Sequence, residues 1–328
     1  MGVRLELVNT VSLLAVLALL SCSNNPGPSE SDTQEIPLDG RGGGVIVYCY
    51  QPLQAELGLH QIYGINADGS GNKKLCTASI GLNHEDVSPD GARIVAVGYV
   101  GANNSTWSVY VFNFDGTGLT RLTATENVWD SDPVWSPEGT RIAFTRIYPT
   151  QNSREEVWLM HADGTGQQYT GVSGFAPRWS PDGSRFVYSS RKSGNSEIYT
   201  CRTDGTDEVK LTSTAADEMY PMWSPDGSQI AYSASTGNLN DFSSNRKTYE
   251  IYIMNGDGSN VRRLTNNTDY DATPRWSPSG TSLAFESDRH EANTWEIYTL
   301  NIDGSNVRRL TTSPANVTAI NPVWKPAQ

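Results

Sequence analysis

The sequence predicts an all-β chain arranged as a six-bladed β-propeller of four-stranded antiparallel blades, and three observations lead there. The first is a repeated word. WSPDGSRFVYS at 179 returns as WSPDGSQIAYS at 223, and the matching prolines Pro89, Pro137, Pro181, Pro225, Pro278 and Pro326 stand 48, 44, 44, 53 and 48 residues apart. A period in the forties made of short apolar runs and tight turns is the mark of a propeller or a β-solenoid. The second is that every period holds four strand-like runs. The third lies at the ends: NPVWKPAQ, residues 321–328, is a first strand with nothing after it, whereas GGVIVYCY, residues 43–50, is a second strand with no first before it. Pairing of the two in one blade is therefore expected to close the ring, which removes the open ends that repeat arrays must cap.

Within a period the first strand is an aromatic run such as PVWS, PRWS or PMWS, followed by a Pro-Asp-Gly turn and a second strand such as RIAFT or QIAYS. A variable connection leads to a third strand such as EIYIM, then to an Asp-Gly turn and a short fourth strand ending in Leu-Thr. In these turns Asp hydrogen-bonds its own backbone two residues on, and Gly supplies positive φ. The second turn recurs at Asp68-Gly69, Asp115-Gly116, Asp163-Gly164, Asp204-Gly205, Asp257-Gly258 and Asp303-Gly304. Dozens of residues separate these aspartates, so they punctuate hairpins and do not form a tandem calcium-binding repeat. Second and third strands are almost continuously apolar, as expected of sheets covered on both faces. No segment after residue 43 combines a helical period with caps. The identical DGSNVRRLT at 257 and 303 places paired arginines on an outer edge, where they discourage edge-to-edge pairing.

The expected organisation is an export signal over 1–21, a linker over 22–42 and the propeller over 43–328. VSLLAVLALL, residues 11–20, is too short for a membrane-spanning helix, which needs roughly 20 apolar residues. It runs into Leu19-Leu20-Ser21-Cys22, which resembles the bacterial lipobox and implies lipidation at Cys22, with the membrane held through that anchor only. SNNPGPSESDTQEIPL, residues 23–38, has almost nothing to bury and is expected to be a tether. A formal net charge of -12 argues against nucleic acid or an anionic lipid surface as the partner. The remaining Cys49, Cys76 and Cys201 are odd in number and cannot all pair within the chain. Cys201 occupies the position held by Met254 and Leu300 in other repeats and reads as a small core residue.

The pattern WSPDG…IAY…IYxMxxDG…LT, carried by Trp135, Trp179, Trp223, Trp276 and Trp324 with Val87 in the place of a sixth, resembles the repeat of TolB-type six-bladed propellers over residues 43–328. The same repeat occurs in the propeller domains of prolyl oligopeptidase-like enzymes. The resemblance implies the fold and a place in the bacterial cell envelope, lipid-anchored on the periplasmic or cell-surface side. In TolB the propeller docks a peptidoglycan-associated lipoprotein. Here the preceding α/β domain is expected to be missing and the chain to carry its own lipid, so the fold is carried over and that partner is not.

In a four-stranded meander all Asp-Gly turns fall at one end, leaving the variable connections 51–59, 146–155 and 235–248 at the other. The connections entering the first strands read NHEDVS, VWDSDP, VSGFAP, DEMYP, YDATP and TAINP. Glu85, Asp130, Asp132, Glu218 and Asp271 are therefore expected to meet Trp129, Phe175, Tyr220 and Tyr270 around a channel mouth. Singly each suits a turn. Together an acidic rim with aromatics suits a basic peptide segment, a glycan or a cation.

The expected function is a non-catalytic binding module for an envelope protein, peptide or glycan, with no cofactor unless a cation sits in the channel mouth. One alternative is a structural subunit of an envelope complex. The other is a polysaccharide lyase or a hydrolase-type enzyme with a site in the channel. No G-x-S-x-G elbow is present, and oligogalacturonate lyases, which resemble TolB propellers, use several histidines around a metal. Of His60, His84, His161 and His290, the blade map brings His84 near the channel mouth, puts His290 in a variable connection and sends His161 to the opposite end, so they cannot all converge.

Overall fold

The computed structural model describes residues 37–53, 60–76, 80–100, 106–235, 248–291 and 294–326. The expected signal 1–21, Cys22 and the tether through residue 36 lie outside the described residues, as do 54–59 and 236–247 of the variable connections. Among the described residues no helix is long and apolar enough to cross a membrane.

The first sheet consists of β1 (Val45–Pro52), β2 (Gln61–Asn66), β3 (Lys73–Lys74) and, from the far end of the chain, β24 (Val317–Trp324), in the order β24-β1-β2-β3. Then come β4 (Leu82–Val87), β5 (Arg93–Val100), β6 (Thr106–Asn113), β7 (Thr120–Arg121), β8 (Trp129–Trp135), β9 (Arg141–Tyr148), β10 (Arg154–His161) and β11 (Gln168–Ser173). These eight form one sheet. Three four-stranded sheets follow: β12 (Phe175–Trp179) to β15 (Val209–Lys210), β16 (Glu218–Trp223) to β19 (Arg262–Arg263), and β20 (Asp271–Trp276) to β23 (Arg308–Arg309), with β13 (Arg185–Ser193), β14 (Asn195–Arg202), β17 (Gln229–Ser235), β18 (Tyr249–Asn255), β21 (Ser282–Glu291) and β22 (Thr294–Asn301) between them.

The expected six four-stranded blades are thereby corrected. The structure has four four-stranded blades, and the strands of the second and third repeats are joined in a single eight-stranded sheet. The join is one parallel pair, Trp107 beside Trp129. Their rings stack at 5.0 Å with 21° between planes, which holds the start of β8 alongside β6, a juxtaposition that no repeated word announces. Within the first sheet β24 runs antiparallel to β1, with Ile46 opposite Trp324 and Pro52 opposite Val317.

The repeated words pack the sheets against one another. Ser180 Oγ donates to Asp182 at 2.5 Å, Asp182 accepts from the Ser184 N–H, and the Arg185 N–H returns to Ser180 Oγ. Gly227 closes the same turn in the next repeat at φ 71°. A Cβ there would meet the Pro181 ring of the preceding repeat at 3.6 Å, an ordinary contact, so it is the positive φ that calls for glycine. Between sheets, Val134 and Ala143 pack on Trp179 and Phe186, and Ile46 and Tyr48 join a cluster with Ala284 and Ile297.

The paired arginines do more than face solvent. Arg263 and Arg309 turn inward onto buried Glu250 and Glu296, each at 2.8 Å. Arg262 Nη2 donates to the Ile302 carbonyl at 2.7 Å and Arg308 Nη2 to that of Asp68, tying each fourth strand to the following Asp-Gly turn. The edges remain short and charged, and the same residues also fasten one sheet to the next.

Candidate functional site

One backbone feature recurs in every first strand. His84, Asp132, Ala176, Tyr220, Thr273 and Asn321 all have positive φ, between 49° and 56°. The ladder to the second strand shifts register at each of these positions. Proline follows in five of the six, and Glu85 takes its place in β4. A proline has no N–H to give the ladder, so a bulge is where a strand tolerates it. In three of the six the freed N–H of the positive-φ residue goes to the second strand of the preceding repeat, Ala176 to Thr145 at 3.0 Å, Thr273 to Ser233 at 3.1 Å and Asn321 to Glu286 at 2.9 Å, whereas the His84 N–H goes to Asn83 Oδ1 at 2.8 Å.

These bulges set the direction of the side chains beside them. Two residues beyond the bulge, β4 carries Asp86, β12 carries Arg178 and β20 carries Arg275. Asp86, Asp132 and Glu286 act electrostatically on Arg275, as does Arg178, while Asp132 acts on His84, Arg178 and Tyr220. Charged and polar groups from separate sheets therefore share one interior. Burial lowers Arg275 to about 9, with repulsion from Arg178 adding to the effect. Burial also lowers Arg178, and it raises Asp86 to about 6 against the pull of Arg178. Glu85, whose two oxygens find no hydrogen-bond partner among the described residues, is pushed well above the usual carboxylate range by desolvation.

The candidate residues separate into three groups. Asp132 lies in this interior, and half-buried Tyr220 borders it. Tyr220 belongs to an aromatic cluster with Phe175, Tyr270 and Tyr249. Arg191 lies 4.3 Å over the Phe175 ring and reaches across to Glu155 at 2.8 Å. Asp130, Glu218 and Asp271 each stand two residues before a bulge; Asp130 and Asp271 are tied to the second strand of their own sheets, and Glu218 to the connection that leads into its strand. Asp130 makes a two-toothed pair with Arg146 at 2.7 and 3.0 Å. Asp271 accepts from Ser287 at 2.6 Å, Arg289 at 2.7 Å and Asn267 at 2.8 Å. Glu218 accepts from Thr214, and burial together with the neighbouring Glu197 raises it to about 8. Trp129 stands apart from the aromatic cluster, stacked on Trp107 near Tyr99. Glu85 sits beside the interior but is almost wholly buried.

Arg178, Arg275, Asp86 and Glu286 did not stand out in the sequence. The available signal was the changing letter of the P-x-W-S word, where PRWS alternates with PVWS and PMWS. His60 was likewise not placed. It lies close enough to His84 to lower its own pKa further, to about 4, after burial has done most of that work. His161 lies at the Asp-Gly end against Gly166. Among the described residues no three His, Cys, Asp or Glu side chains are grouped to hold a metal ion.

Residues 167–240 and 236–328 match the family model of the TolB beta propeller domain. No curated protein matches the sequence. Among solved structures, TolB from Acinetobacter baumannii superposes with a TM-score of 0.71 at 19% identity, over 87% of this chain and 67% of that one. An Agrobacterium tumefaciens protein assigned to TolB gives 0.62 at 18% identity, over 87% and 100%. Hydrazine synthase of Kuenenia stuttgartiensis gives 0.67 at 14% identity, over 85% and 46%. At these identities the likeness is one of fold.

Proposed function

Since residues 167–328 belong to the TolB beta propeller domain family, we propose that this protein is a binding module of the bacterial cell envelope, held at a membrane through lipidated Cys22, which receives a segment of a partner protein at the interior bordered by Asp132 and Tyr220. The observation that carries this reading is the convergence of Asp86, Asp132, Arg178, Tyr220 and Arg275 from four sheets, with no ion pair among the four charged members in the described residues. A scaffold would gain by pairing such groups or by replacing them with apolar ones, as it has paired Asp130 with Arg146. Groups held close and left unpaired are arranged for something that arrives.

The test compares capture of envelope proteins by the wild type, by a Tyr220→Ala, Asp132→Asn double variant, and by Asp303→Ala at the opposite turns. Loss of a captured protein in the double variant alone is expected. Retention of every captured protein by that variant would remove the interior from consideration.

A further inference from the structure

Arg178 and Arg275 are 8% and 6% exposed, on β12 and β20, two residues beyond the bulge in each. Neither has a carboxylate within ion-pair distance among the described residues. The hydrogen bonds they make are to the carbonyl of the preceding proline, Arg178 to Pro177 at 2.8 Å and Arg275 to Pro274 at 3.3 Å. Each uses Nη1 for this, which leaves Nε and Nη2, the edge of the fork that grips a carboxylate, without an acceptor among the described residues. Arg146, the other arginine buried among the described residues, is matched, with Asp130 on Nε and Nη2 together. Two buried guanidiniums that repel one another, with carboxylates in the same interior but none in ion-pair contact among the described residues, cost stability unless an anion joins them.

We propose that Arg178 and Arg275 together form a receptor for one carboxylate group, carried by an acidic side chain or the C-terminus of the partner segment. This deepens the preceding reading and rests on it. The charge of the surroundings selects the ligand. Asp86, Asp132 and Glu286 already act electrostatically on Arg275, so a singly charged carboxylate fits where the second charge of a phosphate would meet repulsion. Tyr220, on β16 between the two arginine-bearing strands in chain order, lies within the same field and offers a hydroxyl donor. The partner segment is thus acidic where it enters, although the chain as a whole carries net charge -12. That contrast is what would let a local arginine pair, and not the overall field, choose the segment.

The experiment titrates the full chain with acetate, and separately with inorganic phosphate at matched ionic strength, following backbone amide resonances of β12 and β20. Acetate is expected to shift both strands, phosphate to bind more weakly, and Arg275→Gln to weaken acetate by about ten- to a hundredfold. Arg275→Lys keeps the charge, avoids the folding risk and loses the fork, so it should weaken acetate by about tenfold. No acetate shift in the wild type, phosphate binding as tight as acetate, or an unchanged affinity in Arg275→Lys would each overturn the proposal. Saturating acetate should also displace the captured partner. Acetate that binds without competing would show a free small acid as the ligand and overturn the partner-borne carboxylate. Capture that survives in Arg275→Lys while acetate binding is lost would sink this inference and leave the preceding reading standing.

Discussion

Asp130 and Arg146 face each other across β8 and β9 as a two-toothed ion pair, Nε to Oδ1 at 2.7 Å and Nη2 to Oδ2 at 3.0 Å, with side chains only 1% and 5% exposed. Arg146 also stacks on Trp158 at 4.4 Å, so its plane is fixed from two sides. Removing one member leaves a buried charge without its partner. Asp130→Ala should lower unfolding stability by about 3–5 kcal/mol, while the Asp130→Ala, Arg146→Met pair should recover much of that loss. Denaturant melts of the three proteins check this, and equal losses in the single and double variants would count against it.

The interior carboxyl of Asp86 sets a pH dependence of definite sign. Its pKa rises from an ordinary 3.8 to about 6 because it is buried. Between about pH 4 and 6 the folded chain therefore holds more proton at this site than the unfolded chain, and stability from this group falls as pH rises through that window. Above it, Asp86 is ionised in both states and adds no further slope. Asp86→Asn should flatten the fall while still accepting the Trp135 N–H that now donates to Asp86 at 2.8 Å. The wild-type minus variant difference in unfolding midpoint, measured from pH 4 to 7, isolates this group from the turn aspartates, whose pKa values move the other way. A difference that does not change with pH would contradict the assignment.

Two glycines separate backbone strain from crowding. Gly258 has φ 87°, and a Cβ there would stand 2.9 Å from the carbonyl oxygen of Leu211, which follows the last strand of the preceding sheet. Gly194 has φ 115° with nothing within 4 Å. Both alanine variants carry the penalty of a left-handed L-residue, of order 1–3 kcal/mol, but only Gly258→Ala adds a clash. It should be the more destabilised of the two in thermal melts. The reverse order would mean that the close approach of the turn is not what holds glycine at 258.

The strands and turns were legible in the sequence because the same physics is written several times: Ser180, Asp182 and Gly183 make their turn from residues within five positions of one another. The eight-stranded sheet was not, because it depends on Trp107 stacking flat on Trp129, whereas Trp295 holds the place of Trp107 in a later repeat and Tyr249 and Tyr270, at the matching positions, meet edge to face without joining their sheets. The bulges beside the candidate residues were announced by no expectation. Those residues were legible in order along the chain and their partners were not, since Asp130, Glu218 and Asp271 look the same on paper as Asp132. What separates them is a partner on another strand, Arg146 for Asp130 and Arg289 for Asp271. Arg178 and Arg275 were hidden because a letter that varies between repeats reads as tolerance when it can equally be the place where one interior differs from another.

The most direct test of the whole account is photo-crosslinking in living cells from a benzophenone side chain at Tyr220, compared with one at exposed Val261 beside the outer strand β19. The account predicts a discrete protein adduct from position 220, mapping to a segment of the partner, and none of that adduct from 261. The same adduct from 261 with none from 220 would place recognition on the outer edges and contradict it.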